Sequence, residues 1–206
     1  MTTLQQPLAV LDLEGVLTPE IWEAVAEHTG IDVLRRTTRD EPDIDVLFAG
    51  RVEALDAAGI KLDLILKVIE GMSPLEGAVD FLQELRSQMP VLVLSDTFEQ
   101  FGRPLAAKLG QPAMLCHRLI EQDGRLAGYQ LRISNQKQRA VEAFQSLNYR
   151  VAAVGDSYND VTMLAQADIG VLFRASANVA AEYPQLPSCS SYHDLLKMID
   201  EWIAAA

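Results

Sequence analysis

Four short apolar runs divide the chain. They are LAVLDLEGVL (Leu8 to Leu17), VLVLSD after Pro90, RVAAVGDS from Arg150, and ADIGVLF from Ala167. Runs of this length, closed by turn residues and too short for helices, predict buried strands of a parallel sheet. Between them the apolar positions recur at helical spacing. EIWEAVAEHTG is expected to be a helix with Thr18 as N-cap and Pro19 in the first helical position, closing on Gly30. VLFAGRVEALDAAG and LDLILKVIEG predict helices ending at Gly59 and Gly71, and SPLEGAVDFLQELRSQM predicts an amphipathic helix with Pro74 near its start. A further helix is expected near FGRPLAAKLG, with Pro104 marking a break or a new start. Helices are also expected over Gln136 to Tyr149, over DVTMLAQA, and over SYHDLLKMIDEWIAAA, whose Leu195, Leu196, Ile199, Trp202 and Ile203 form a packing stripe.

One stretch alternates instead. AMLCHRLIEQDGRLAGYQLRI reads as a strand or hairpin on the rim of the sheet, with turn signals at Asp123-Gly124 and Ala127-Gly128. The polar stretch RRTTRDEPDID, interrupted by Pro42, is expected to be a loop. Residues 18–72 thus form a small helical unit inserted directly after the first strand, and residues 1–17 with 73–206 form an α/β core. In open parallel sheets ligands sit beyond the carboxyl ends of the strands, so an insertion at that point lies over the reactive edge.

Three of the apolar runs end in polar groups. The first delivers Asp12 and Glu14, which strand alternation places on one side with Leu13 behind them. Two neighbouring carboxylates repel, and the remedy is a bound divalent cation or a shared proton, unless both acids are simply solvated. The second run ends in Ser95 and Asp96, and the third in Asp156, followed by Asn159 and Asp160. Together with Lys137 at a helix start between the second and third runs, these groups can hold a metal ion and a phosphate at one rim.

Composition narrows the choice. The chain has 206 residues, 49% of them hydrophobic, enough for one sizeable core, and a formal net charge of −12 that argues against nucleic acid as partner. No apolar segment is long enough for a membrane span, and MTTLQQPL lacks the pattern of a signal peptide, so a cytoplasmic location is expected. Cys116 and Cys189 belong to no CxxC pair and are expected to be reduced thiols. His28 and His193 read as surface residues and His117 as structural.

The order DLEGVL, LSDTF, Lys137 and GDSYND, with a helical insertion after the first, resembles the haloacid dehalogenase superfamily of aspartate-nucleophile phosphatases. Within it the chain is similar to phosphoserine phosphatases, above all to the branch that also transfers the phosphoryl group to homoserine. That resemblance covers essentially the whole chain, including PEIW and TTRDEPDIDVL. It implies a Rossmann-like α/β core with a helical cap. It also implies that Asp12 is the nucleophile and that Glu14 protonates the leaving serine and then deprotonates the acceptor. Ser95 and Lys137 would hold phosphoryl oxygens. Asp12, the Glu14 carbonyl and Asp156 would bind Mg²⁺, with Asp160 supporting that shell and Asn159 near the phosphate. Glu20 and Arg51 would bind the amino group and carboxylate of phosphoserine or homoserine, and Asp96 would lie among the substrate contacts.

Two departures mark the branch: Glu14 stands where most such phosphatases carry Asp, and Asp96 where phosphoserine phosphatases usually have Gly. The alternative is the same chemistry on another small phosphate ester; a non-enzymatic phosphate-binding role fits the intact reactive set less well. Water and homoserine both remain open as acceptors, and so does assembly into a homo-oligomer.

Overall fold

The computed structural model describes residues 4–37, 40, 41 and 43–205. Pro42, and Thr38 and Arg39 within TTRDEPDIDVL, lie outside the described residues, as do the first three residues and the last.

The first apolar run forms β1 (Gln6–Leu11), which is shorter than expected because the chain leaves the ladder at Asp12. The following elements are α1 (Ile21–Thr29), a single 3₁₀ turn at Asp32–Arg35, α2 (Ile44–Ala57), α3 (Leu62–Gly71) and α4 (Ala78–Gln88). Next come β2 (Val91–Phe98), α5 (Glu99–Lys108), β3 (Ala113–Gln122) and β4 (Arg125–Gln130). The remainder is α6 (Gln136–Ser146), β5 (Tyr149–Gly155), a 3₁₀ turn at Tyr158–Asp160, α7 (Val161–Gln166), β6 (Ile169–Phe173), α8 (Ala177–Glu182), β7 (Ser188–Cys189) and α9 (Tyr192–Ala204).

The seven strands form one α/β sheet in the order β4-β3-β2-β1-β5-β6-β7, parallel except for the β3–β4 hairpin. Central β1 pairs with β2 and β5, so Ala9 to Leu11 need no solvent face and are all apolar. Strand alternation divides the core between the two faces. Ala9, Leu11, Val93 and Val154 join one apolar cluster with α4, α5 and α9, and Leu8, Val10, Leu92 and Val151 join another with α6 and α7. The first cluster continues without interruption into Ile21, Val25, Phe48, Leu55, Ile65 and Ile69 of α1 to α3. Those helices are therefore held against the carboxyl edge of the sheet by the same apolar burial that holds the sheet together.

Several boundaries differ from the sequence pattern, each for a local reason. Helix α1 begins at Ile21, not at Pro19, and Thr18 does not cap it; Thr18 is fully buried and its hydroxyl donates to the Leu13 carbonyl (3.3 Å). Helix α4 starts at Ala78, because Gly77 adopts φ 81° and interrupts the helical path of SPLEG. Pro104 breaks nothing; it lies inside α5. Asp123-Gly124 is the hairpin turn, with φ 52° and 75° as a type I′ turn requires, whereas Ala127-Gly128 lies within β4. There Ile120 pairs with Gly128 and Glu121 with Leu126, so Ala127 is the extra residue of a bulge. The pattern did not anticipate α8 and β7, each too short to show a period.

Strand β6 lies so close to α7 that a Cβ on Gly170 would sit 2.1 Å from the Leu164 carbonyl oxygen. Gly170→Ala should therefore cost about 3 kcal/mol, the upper end of ordinary overpacking, since backbone rather than a side chain must move. A lowered urea midpoint with unchanged slope is the expected reading.

Candidate active site

Beyond β1 the chain turns sharply. The Asp12 amide still donates to Val154 O (2.9 Å), the Leu13 amide donates to Asp12 Oδ1 (2.8 Å), and Gly15 takes φ 74°. The amides of Leu17 and Thr18 both return to Leu13 O, and Tyr192 of the last helix donates its hydroxyl to Val16 O (2.6 Å). This tied loop, not the strand pleat, presents Asp12 and Glu14 to one cavity of about 580 Å³, with Leu13 buried behind them. Gly15 is required there for a second reason: any Cβ would meet the Asp156 carboxylate at 2.4 Å.

Four strand ends and helix starts converge at the floor. The Lys137 ammonium, only 3% exposed, lies 2.7 Å from Asp160 Oδ1, 3.0 Å from Asp12 Oδ1 and 3.6 Å from Asp96 Oδ2. Burial opposes its charge, but Asp12, Asp160 and Asp96 outweigh it and hold the ammonium well above its ordinary range. The Asp12 carboxyl is pushed up by burial and by Asp160, with Lys137 opposing. Both oxygens of Asp160 have protein partners: Oδ1 takes Lys137, and Oδ2 accepts the amides of Asp156 (3.0 Å) and Ser157 (3.2 Å). Gly155 leaves the space this needs, since a Cβ there would touch the Asp160 side chain at 2.4 Å. Asp156, half-buried, is raised to about 7 by burial first and then by Asp160 and Glu20.

Asp12, Asp156 and Asp160 each offer an oxygen within 4.8 Å of the others. The donors are all oxygen and include crowded carboxylates whose repulsion a cation would relieve, which suits a hard divalent ion. Asp160 is already held by Lys137 and two amides, and one oxygen of Asp12 by Lys137 and the Leu13 amide, so the protein itself orients these candidate ligands.

Glu14 Oε2 accepts the Ile21 amide (2.9 Å), so this carboxyl performs the N-terminal capping of α1 expected of Thr18. Burial, and next the Glu20 charge, raise it to about 8, and burial raises Glu20 as well. Arg51, on α2, is 9% exposed, with its guanidinium 4.5 Å from the Trp22 ring centre and Nη2 donating to Arg36 O (2.6 Å). Its Nε–H is buried and finds no partner among the described residues. Burial lowers its pKa to about 10.

At the end of β2, Ser95 is buried and its Oγ accepts the Thr97 amide (3.2 Å), leaving the hydroxyl proton available. Gln136, next to Lys137, donates to Ser95 O (2.6 Å) and to Asp96 Oδ1 (3.0 Å), and Asn159 donates to Asp96 Oδ2 (3.2 Å). Sequence reasoning missed Gln136 and placed His117 in the structural background. His117 also lines the cavity, its Nε2 3.6 Å from Asp96 Oδ1. Nothing in the spacing marks it; the register Phe98↔His117 between β2 and β3 is what delivers it.

With these residues around a cavity at the carboxyl edge of a parallel sheet, the class follows. A sequence profile of haloacid dehalogenase-like hydrolases matches residues 7–168, and the chain belongs to that family. It is 54% identical to phosphoserine phosphatase ThrH of Pseudomonas aeruginosa over 189 residues, covering 91% of this chain and 92% of that protein. It is 53% identical to a phosphoserine phosphatase of Pseudomonas syringae pv. tomato, covering 92% and 81% of the two chains. The fold matches a solved phospho-aspartyl intermediate analogue of phosphoserine phosphatase with a TM-score of 0.77 at 22% identity, covering 94% of this chain and 99% of that one.

Lys137→Met should lower stability by about 3 kcal/mol, because it leaves Asp12 and Asp160 buried without their cation. Chemical denaturation of the metal-free protein measures this. An unchanged midpoint would mean that the two carboxyls are already neutral in the folded chain.

Proposed function

We propose that the protein is a Mg²⁺-dependent phosphoserine phosphatase working through an aspartyl-phosphate on Asp12, and that it also transfers the phosphoryl group to homoserine. One observation carries the reading: a cavity with Asp12 and Lys137 at its floor has Arg51, its Nε–H unpartnered, on its wall. A phosphate ester with a carboxylate at its other end would engage both. The high identity to two proteins named as phosphoserine phosphatases supports the same substrate. Residues 18–72 would serve as a cap over a core of 1–17 and 73–206, and the acidic chain, in which no described helix is long and apolar enough to cross a membrane, would act in the cytoplasm on small molecules.

In this reading an Asp12 oxygen attacks phosphorus as the bond to the serine oxygen breaks, and Glu14 gives that oxygen a proton. Water or homoserine then attacks the phosphoryl group, Glu14 takes back the proton, and Asp12 is released. Ser95 donates its hydroxyl proton to a phosphoryl oxygen, and Lys137 and Asn159 offset charge beside it. Bound through Asp12, Asp156 and the Glu14 carbonyl, Mg²⁺ would neutralise charge on the transferring group, with Asp160 fixing that shell through the Asp156 amide. Glu20 would receive the substrate ammonium and Arg51 its carboxylate.

Phosphoserine turnover should stop in excess chelator, return with Mg²⁺, and be lost by at least about a thousandfold in Asp12→Asn, which keeps the shape but removes the attacking oxygen. Release of inorganic phosphate measures all three, and activity surviving either treatment would sink the mechanism.

Arg51→Ala separates anchoring from chemistry. The loss in kcat/KM should be about a hundredfold for phosphoserine, and at least as large for transfer to homoserine, because each relies on one charged carboxylate contact. Hydrolysis of p-nitrophenyl phosphate, which has no carboxylate, should scarcely change. Equal losses on all three would withdraw the anchor role and point to packing against Trp22 instead.

A further inference from the structure

Asp96 stands apart from the other acids of the cavity because it is partly exposed there and yet has a donor facing each of its oxygens from two sides. Oδ1 accepts Gln136 Nε2 (3.0 Å) and faces His117 Nε2 at 3.6 Å. Oδ2 accepts Asn159 Nδ2 (3.2 Å) and faces the Lys137 ammonium at 3.6 Å. The His117 ring is oriented for this: Nδ1 accepts the Arg132 amide (3.2 Å), so the proton of the neutral ring is on Nε2, towards Asp96. Gln136 is fixed in turn, its Oε1 accepting Arg132 Nε (3.3 Å) while Nε2 also holds Ser95 O. Of the about four acceptor positions of a carboxylate, two accept hydrogen bonds here, from Gln136 and Asn159, and a ring N–H and an ammonium stand within 3.6 Å of the same oxygens.

Two of those donors, Lys137 and Asn159, are the groups that the proposed reaction requires at the phosphoryl oxygens. The side chain is nevertheless 44% exposed on the cavity, so Asp96 occupies space that an incoming anion can reach. We propose that Asp96 is a built-in competing anion, occupying the phosphoryl cradle through Lys137 and Asn159 and lowering the affinity of the site for phosphate itself. The inference rests on the phosphoryl-transfer reading of the cavity and changes the part Asp96 takes in it, from substrate contact to competitor. A phosphate group entering the cradle must draw these donors from Asp96 or share them at the cost of like-charge repulsion. The penalty is the same for any phosphate ester. An ester whose alcohol half finds Glu20 and Arg51 can offset it, whereas inorganic phosphate and esters without such groups cannot. The product would then leave readily, and selectivity would lie with the amino-acid end of the substrate.

The opposite role is also physically reasonable: Asp96 could hold Lys137 in place for the phosphate, and its loss would then weaken phosphate binding. The two roles differ in sign. Titration calorimetry with inorganic phosphate, on wild type, Asp96→Ala and Asp96→Asn with Mg²⁺ present and ionic strength fixed, decides between them. Because the side chain is partly exposed, truncation admits water and leaves no closed void. Both variants should bind phosphate about tenfold more tightly than wild type, the effect of removing one like charge from a partly hydrated site. Unchanged or weaker binding in both, or no measurable binding in any of the three proteins, would overturn the inference. Tightening in Asp96→Ala alone would also overturn it, by showing that volume and not charge keeps phosphate out. None of these readings depends on turnover: a wild type inactive on phosphoserine would remove the proposed substrate, and the calorimetry would still report on Asp96.

Discussion

The structure depends on one ammonium group held among three carboxylates. Lys137 lies 2.7 Å from Asp160, 3.0 Å from Asp12 and 3.6 Å from Asp96, in a place almost closed to water. Charges there interact strongly, and one cation does not balance three anions, with Asp156 also close by. The remaining imbalance is distributed unevenly. Asp160 is fixed by two backbone amides, Asp96 is held well below the usual carboxylate range because Lys137, the nearby His117 ring and hydrogen bonds from Gln136 and Asn159 outweigh its burial, and Asp12 and Asp156 are pushed up. The site is thus divided into anions already compensated by the protein and two carboxyls that a divalent cation would complete. Its unfinished electrostatics lie where the proposed chemistry needs them.

Much of this was legible in the sequence, and the reason is geometric. Buried parallel strands are apolar throughout, so polar groups at their ends stand out, and three such ends together with Lys137 indicate a single rim. What could not be read depends on distances between elements that are remote in sequence. His117 has no motif and reaches the cavity through the register of β3 on β2. Gln136 looks like any polar residue at a helix start until its amide is seen bridging Ser95 and Asp96. Thr18 carried a sound capping signal and was overruled, since a threonine buried against the Leu13 carbonyl cannot also cap a helix three residues on. Pro104 was overruled in a different way, by a helix that continues past it within α5.

Glu14 connects the two halves of the cavity. It belongs to the loop after β1, yet its carboxyl accepts the first amide of α1, and the Glu20 charge just before that helix helps to raise it. The expected site and the expected helix cap, treated separately in the sequence, are here one interaction. The reacting floor and the helices above it are therefore not independent: the tilt of α1 and the position of the Glu14 carboxyl are set by the same hydrogen bond. A residue one methylene shorter would have to draw α1 inward or lose the Ile21 contact, which gives a physical reason for glutamate at this position.

That coupling extends to the substrate end through aromatic packing. Arg51 lies over Trp22 of α1, Trp22 meets Phe101 of α5 edge-on at 5.6 Å, and Phe101 meets Phe98 at the end of β2 at the same separation. Phe98 lies three residues beyond Ser95 on the same strand, so the proposed carboxylate anchor and the proposed phosphoryl-binding serine are linked through packed rings, Trp22 partly buried and Phe101 and Phe98 buried. Rings packed edge-to-face resist small displacements because any tilt loses contact on one side. The distance between the two ends of the cavity is in this way set by the core and not by loops. In the proposed reading an acceptor one methylene longer than serine would have to adjust through its own torsions, since the wall proposed to hold its carboxylate is part of the packed interior.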